Sequence, residues 1–126
     1  MAQSAPNIIP VIRYRDADAA IDFLTSAFGF KTNALHEGEA GIVEHAQLTY
    51  GDGMVMVGSA RGDVWDTISG SVYVIVEDPD AHHARAAAAG AEIVMPLTDQ
   101  DYGSRDYAAK DPEGNVWAFG TYRPEM

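Results

Sequence analysis

An α+β chain built from two βαβββ modules is the fold class this sequence predicts, and three observations predict it. The first is an internal echo: Ile12-Arg13-Tyr14-Arg15-Asp16-Ala17-Asp18-Ala19 is matched 62 residues later by Val74-Ile75-Val76-Glu77-Asp78-Pro79-Asp80-Ala81, so that Asp16, Asp18 and Ala19 superpose on Asp78, Asp80 and Ala81. The second is a further echo at an offset of 61, where Asp52-Gly53-Met54-Val55-Met56-Val57 returns as Glu113-Gly114-Asn115-Val116-Trp117-Ala118. The third is the length. At 126 residues, 47% of them hydrophobic, the chain can build one ordinary core or two small modules packed closely together.

Each element follows from its residues. Asn7 to Tyr14 is rich in β-formers, and Asp16 is a natural N-cap whose carboxylate accepts from first-turn amides. Ala20, Phe23, Leu24, Ala27 and Phe28 then fall at helical spacing, with Gly29 able to take the left-handed conformation, which predicts a helix over about 17–28. Strands follow at Phe30 to His36, Ile42 to Tyr50 and Met54 to Gly58, the last two joined by the turn Tyr50-Gly51-Asp52-Gly53. A linker over 59–70 leads to the second module. There the order repeats: strand Ser71 to Val76, N-cap Asp78 with Pro79 at the first helical position, a helix to Ala89 and Gly90 past its end. Strands at Glu92 to Leu97, Ser104 to Lys110 and Asn115 to Tyr122 complete it, with Asp111-Pro112-Glu113-Gly114 as the last turn. The modules run from about 7 to 58 and from about 71 to 123.

Composition excludes several functions. Eight basic against 19 acidic residues give a net charge of -11, the opposite of the basic footprint that phosphate binding needs, so no nucleic-acid partner is expected. No run approaches the ~20 apolar residues of a membrane span, and Met1-Ala2-Gln3-Ser4 lacks the charged-then-apolar pattern of a signal peptide. The expectation is a cytoplasmic protein without a membrane partner. No cysteine is present, which removes disulfides, thiolate metal sites and thiol nucleophiles. The charge is uneven: residues 1–62 hold 7 acids and 4 bases, whereas residues 63–126 hold 12 acids and 4 bases. The second module is thus suited to a cationic ligand, or simply to a solvated surface. No Ser/His/Asp arrangement, phosphate loop or defined carboxylate pair is found.

The helix entry Tyr14-Arg15-Asp16-Ala17-Asp18-Ala19-Ala20-Ile21-Asp22-Phe23-Leu24 leading into Ala27-Phe28-Gly29-Phe30, and the closing Tyr102-Gly103-Ser104-Arg105-Asp106-Tyr107 to Asp111-Pro112-Glu113-Gly114-Asn115-Val116-Trp117, resemble the vicinal oxygen chelate superfamily. That group contains glyoxalase I, extradiol dioxygenases, fosfomycin resistance enzymes and bleomycin resistance proteins. The resemblance covers about residues 7 to 123. It implies half-open mixed β-sheet cups with the helices outside, a homodimer, and in the metal-dependent members a divalent ion that acts as a Lewis acid on two vicinal substrate oxygens. It carries the four ligand positions onto Pro10, Gln47, Ser71 and Ala118. Of these only Gln47 and Ser71 carry a polar side chain, and neither is an imidazole or a carboxylate. No metal in the usual place and no cofactor is therefore expected, and the chain looks closest to the metal-free bleomycin-resistance type.

Alternation places Val43, His45, Gln47 and Thr49 on one inward face, with Pro10, Ile12 and Tyr14 and, in the second module, Ser71, Tyr73, Ile75, Val116, Ala118 and Gly120. These faces either line a small-molecule pocket or close a core. Trp65 is a stacking wall, a dimer contact or a loop cover. Arg105 binds a ligand carboxylate or pairs with Asp101, Asp106 or Glu113. His82-His83 reads as an exposed helix face, since adjacent helical residues diverge by about 100°. The candidate ligand-binding set is His45, Gln47, Trp65, Ser71, Tyr73, Arg105, Tyr107 and Trp117, in a protein that sequesters a cationic or aromatic small molecule such as an antibiotic. The alternatives are a glyoxalase-like lyase or isomerase with a displaced metal site at His45, Gln47 and a nearby Glu, and a structural dimer with filled cups.

Overall fold

The computed structural model describes residues 6–66 and 71–124. The expectations for Met1 to Ser4 and for the end of the linker at 67–70 lie outside the described residues. The predicted order is found twice: β1 (Val11–Tyr14), α1 (Ala17–Ser26), β2 (Lys31–Glu37), β3 (Val43–Tyr50), β4 (Gly53–Ser59), then β5 (Val72–Ile75), α2 (Pro79–Ala88), β6 (Glu92–Asp99), β7 (Arg105–Lys110), β8 (Val116–Gly120). Each set forms an open four-stranded mixed sheet, ordered β1-β4-β3-β2 in the first and β5-β8-β7-β6 in the second. In each, the first strand pairs in parallel with the last and the other pairings are antiparallel. The chain divides into two compact units, 1–25 with 29–68, and 26–28 with 69–126.

Local chemistry accounts for the helix ends. Asp16 Oδ1 accepts from the Ala19 N–H at 3.1 Å and Asp78 Oδ1 from the Ala81 N–H at 3.1 Å, each satisfying an otherwise orphaned first-turn donor. Gly90, at φ 89°, closes α2: its N–H reaches Ala87 O while the Ala91 N–H reaches Ala86 O, the paired bonds of a Schellman cap. The first helix stops at Ser26, two residues short of the expected end. Gly29 (φ 81°) reverses the chain there, and the Phe30 N–H bonds back to Leu24 O.

In the first unit, α1 buries Ala17, Ala20, Ile21 and Leu24, and one sheet face buries Ile12, Tyr14, Ala46, Leu48, Val55 and Val57. This corrects the expectation for β1. Val11 pairs with Met56 and Arg13 with Gly58, so Val11 and Arg13 share the face of Gln47 while Ile12 and Tyr14 belong to the core. A one-residue slip transfers a whole strand to the other face. Val43 is corrected too: pairing of His36 with His45 but Glu37 with Val43 leaves Glu44 as an extra residue, and Val43 turns into the core.

The second unit has an aromatic core. Phe28 packs edge-on to Phe119 with centroids 4.7 Å apart and lies 5.8 Å from Trp117, and Tyr107 stacks on Phe119 at 5.2 Å. His82 belongs to this core, contrary to the reading of His82-His83 as an exposed face. Pro79, His82 and Ala86 form the buried stripe of α2, and the His82 ring sits 4.4 Å from that of Phe119. Its Nε2–H donates to Phe28 O at 2.8 Å, and its Nδ1 accepts from the Tyr107 hydroxyl at 2.5 Å. Because a carbonyl only accepts, the neutral Nε2–H tautomer fits these partners.

Burial holds the His82 pKa below its ordinary value, with the Arg85 charge adding to the effect and the Phe28 carbonyl opposing it. The unfolded chain then binds a proton at His82 that the folded one refuses. Stability associated with this residue is complete above the ordinary histidine pKa of about 6.5 and is lost as pH falls below it. Thermal melts should accordingly show a His82→Phe variant with a shallower loss of Tm between neutral pH and pH 5 than the wild type. Parallel profiles would show that His82 is not the group responsible.

Candidate functional site

Each unit has a sheet face opposite its core, and the candidate residues divide between these faces and the cores. In the first unit the face is built around Gln47. Antiparallel pairing sets Gln47 opposite Met56, and parallel pairing sets Met56 beside Val11. Two residues along β3, the His45 Nε2–H donates to Gln47 Oε1 at 2.9 Å. His45 is also paired across the sheet with His36, the rings lying 6.0 Å apart with 26° between their planes.

Arg13 closes one end of this face. Its guanidinium lies 3.4 Å from Asp66 and 3.7 Å from Asp63. Asp66 also accepts the backbone N–H groups of Arg61, at 3.0 Å, and Gly62. Burial acts to raise the Asp66 carboxyl, but the amides of Arg61, Gly62 and Asp63 and the charge of Arg13 outweigh it and hold the group below the usual carboxylate range. The 3-10 turn Val64–Asp66 is thereby fixed, with the Trp65 N–H donating to Asp63 Oδ1 at 3.0 Å. Trp65 itself is 62% exposed, so it does not cover the core.

In the second unit the corresponding face carries a polar cluster that sequence reasoning missed. Tyr73 pairs with Ala118 on β8, and its hydroxyl donates to Asp106 Oδ1 at 2.9 Å. Ser104 Oγ donates to Asp106 Oδ2 at 3.1 Å, and the Tyr122 N–H donates to the Tyr73 hydroxyl at 3.0 Å. Asp106 is only 4% exposed, a buried carboxylate held by neutral donors. Burial first, and Asp106 next among the groups that raise it, push the Tyr73 phenol up to about 12 against the opposing Tyr122 N–H. Tyr73 is therefore a proton donor throughout the physiological range. Ser104 also lines a surface cavity of about 560 Å³ with Tyr102, Gly103, Thr121, Tyr122 and Arg123. The rings of Tyr102 and Tyr122 meet edge to face in it, 5.4 Å apart. Ser71 is exposed just before β5.

Three candidates are placed elsewhere. Tyr107 and Trp117 are wholly buried: they alternate with Ala108 and Ala118, which pair with each other, and so fall on the core face. The hydroxyl of Tyr107 serves His82 and the indole N–H of Trp117 donates to Asp111 Oδ2 at 3.1 Å. Arg105 pairs with Asp80 at 2.7 Å and Asp99 at 3.0 Å instead of Asp101, Asp106 or Glu113. These are surface ion pairs, screened by solvent, and they add little to stability.

The metal-ligand positions can now be read from register. Val11 beside Met56 and Tyr73 beside Ala118 are equivalent pairs 62 residues apart, so the counterpart of Ser71 is Ile9 and not Pro10. Ile9, Gln47, Ser71 and Ala118 include no imidazole and no carboxylate, and among the described residues no three His, Asp or Glu side chains gather as a metal site. The donor set does not fit the divalent ion of the metal-dependent members.

Duplicated βαβββ units with a polar-lined face define a glyoxalase-like protein. The chain belongs to the Glyoxalase/Bleomycin resistance protein/Dioxygenase superfamily, whose family model matches residues 8–119. It is 34% identical to TioX from Micromonospora sp. ML1, a solved structure, with 96% of this chain and 99% of that one covered and a TM-score of 0.79. An uncharacterized protein of Mycobacterium tuberculosis is 31% identical over 128 residues, covering 91% of this chain and 74% of the relative. The fold is shared with the bleomycin-binding protein from Streptomyces verticillus, solved with copper(II)-bleomycin: 23% identity, 95% and 98% coverage, TM-score 0.67. No helix among the described residues is long and apolar enough to cross a membrane.

Proposed function

We propose that the protein binds and sequesters a cationic or aromatic small molecule, such as an antibiotic, as a homodimer of the bleomycin-resistance type. The observation that carries this reading is the surface cavity of about 560 Å³ in the second unit, lined by Tyr102, Tyr122 and Ser104, whose hydroxyl is held by the carboxylate of Asp106. Two tyrosine rings offer stacking faces to a planar group. The acidic second module draws in a positive one, and Arg123 offers a donor fork to a carbonyl or acidic group of the same ligand. His45, Gln47, Ser71 and Tyr73 remain ligand-facing candidates on the two sheet faces. The bleomycin-binding protein from Streptomyces verticillus, which shares the fold, supports small-molecule binding by this architecture.

Calorimetry against a panel of cationic glycopeptide and aromatic antibiotics tests the reading. At least one should bind, and Tyr102→Ala or Tyr122→Ala should weaken it by about 1 kcal/mol or more, the usual worth of an aromatic pair. No binding at millimolar concentration would sink the proposal, and light scattering that reports a monomer would remove the homodimer.

A further inference from the structure

We propose that His36 and His45 form a bis-imidazole site for a divalent transition ion on the exposed edge of the first sheet, separate from the positions the metal-dependent relatives use. Three observations converge on it. First, β2 is an edge strand and its His36 is directly paired with His45 of β3, so both side chains project from the same face. Second, the ring centroids are 6.0 Å apart. A metal–nitrogen bond of about 2.0–2.1 Å places each imidazole centroid about 3 Å from the ion, so the pair is just within reach of one ion, and a small inward movement of the exposed His36 side chain brings it to the separation of about 5 Å that a tetrahedral angle needs. The rings lie 26° from parallel, and with His45 held by Gln47 it is the exposed His36 ring that rotates about its soft χ2 torsion to turn its lone pair toward the shared ion.

Third, Gln47 prepares the ligand. Its Oε1 accepts from His45 Nε2 at 2.9 Å, and an amide oxygen can only accept, so Nε2 carries the proton and Nδ1 keeps its lone pair. Fixing the tautomer of a ligating histidine by a carbonyl on the far nitrogen is the usual task of an outer-sphere partner. Gln47 is therefore a positioning residue for His45, and waters or a ligand atom complete the coordination. His36 is exposed and has no hydrogen-bond partner among the described residues, so its ring is free to turn. Two neutral imidazoles select borderline ions such as Zn²⁺, Ni²⁺ or Cu²⁺ over Mg²⁺ or Ca²⁺. The inference stands independently of which small molecule the second unit takes.

Titration of the full chain with Zn²⁺, followed by calorimetry and by the ¹⁵N shifts of the histidine rings, tests it. One ion per chain should bind, with the shift at His45 Nδ1 and the Nε2–H retained. His36→Ala and His45→Ala should each reduce binding to the level of the double variant. Gln47→Ala should weaken it about tenfold, the effect typical of a lost outer-sphere partner. His83→Ala, a substitution in the second unit, should bind as the wild type does. Circular dichroism checks that each variant is folded. Unchanged Zn²⁺ binding in His36→Ala, loss of binding in His83→Ala, or coordination through His45 Nε2 would each overturn the proposal.

Discussion

Replacing Gly120 with alanine is expected to destabilise the protein by about 2–4 kcal/mol, the range for overpacking combined with a buried polar group stripped of its partners. Gly120 ends β8 opposite Asp106, and a Cβ there would collide with Asp106 Oδ1 and come within 2.7 Å of Asp106 Cγ and 2.5 Å of the Tyr73 hydroxyl. The requirement is for space, since Gly120 is not among the residues of positive φ. Asp106 cannot swing away cheaply: its two oxygens hold Tyr73 and Ser104, and it is buried. An added methyl therefore separates the carboxylate from both donors while leaving it out of water. Denaturant unfolding measures the loss. In the double variant with Asp106→Ala the obstructing carboxylate is gone, so the cost of Gly120→Ala should fall well below its value in the wild type. Equal costs in the two backgrounds would show that the collision is relieved some other way. Because Tyr73 and Ser104 belong to the cluster beside the proposed cavity, Gly120→Ala should also impair ligand binding.

Gly120 also shows where reading the sequence stops. Both module echoes were legible because helix caps, turn glycines and alternation are local, and they yield the βαβββ order and the second module's inward face of Ser71, Tyr73 and Ile75. For β1 the alternating face of Pro10, Ile12 and Tyr14 is one residue out of phase. The offset of 62 applied to Tyr73 and Ile75 points to Val11 and Arg13, as the parallel register confirms. Trp117 was likewise recoverable, since a residue adjacent to an inward Ala118 must face the core. His82 carried a signal in its spacing from Pro79 and Ala86, obscured by its polarity: a buried histidine needs two partners, and these come from Phe28 and Tyr107, 54 and 25 residues away. The Tyr73–Asp106 bond spans 33 residues and the contact of Gly120 with Asp106 depends on cross-strand register. No local pattern encodes either. The pairing of His36 with His45 depends on a register shift at Glu44 that an alternating pattern does not contain.

Asp111→Ala is expected to cost about 2–4 kcal/mol, and the reason is the number of groups that depend on a single carboxylate. The turn Asp111-Pro112-Glu113-Gly114 joins β7 to β8, with Gly114 at φ 88°. Asp111 Oδ1 accepts the backbone N–H groups of Glu113 and Asn115, both at 3.0 Å, and Oδ2 accepts the Asn115 amide at 3.0 Å and the Trp117 indole at 3.1 Å. The carboxylate is 5% exposed and Trp117 is fully buried, so truncation leaves an indole N–H in the core without its partner. It also releases the turn that sets the β7–β8 register. Asp111→Asn separates the two contributions. Its amide oxygen can still accept from the turn amides, but its NH₂ cannot accept from the indole, so it should recover part of the loss and leave the Trp117 environment perturbed. Chemical denaturation gives the energies, and the Trp117 indole proton resonance reports the bond directly. An Asp111→Ala protein with wild-type stability and an unshifted indole resonance would refute the assignment of Asp111 as the anchor of both the turn and the aromatic core.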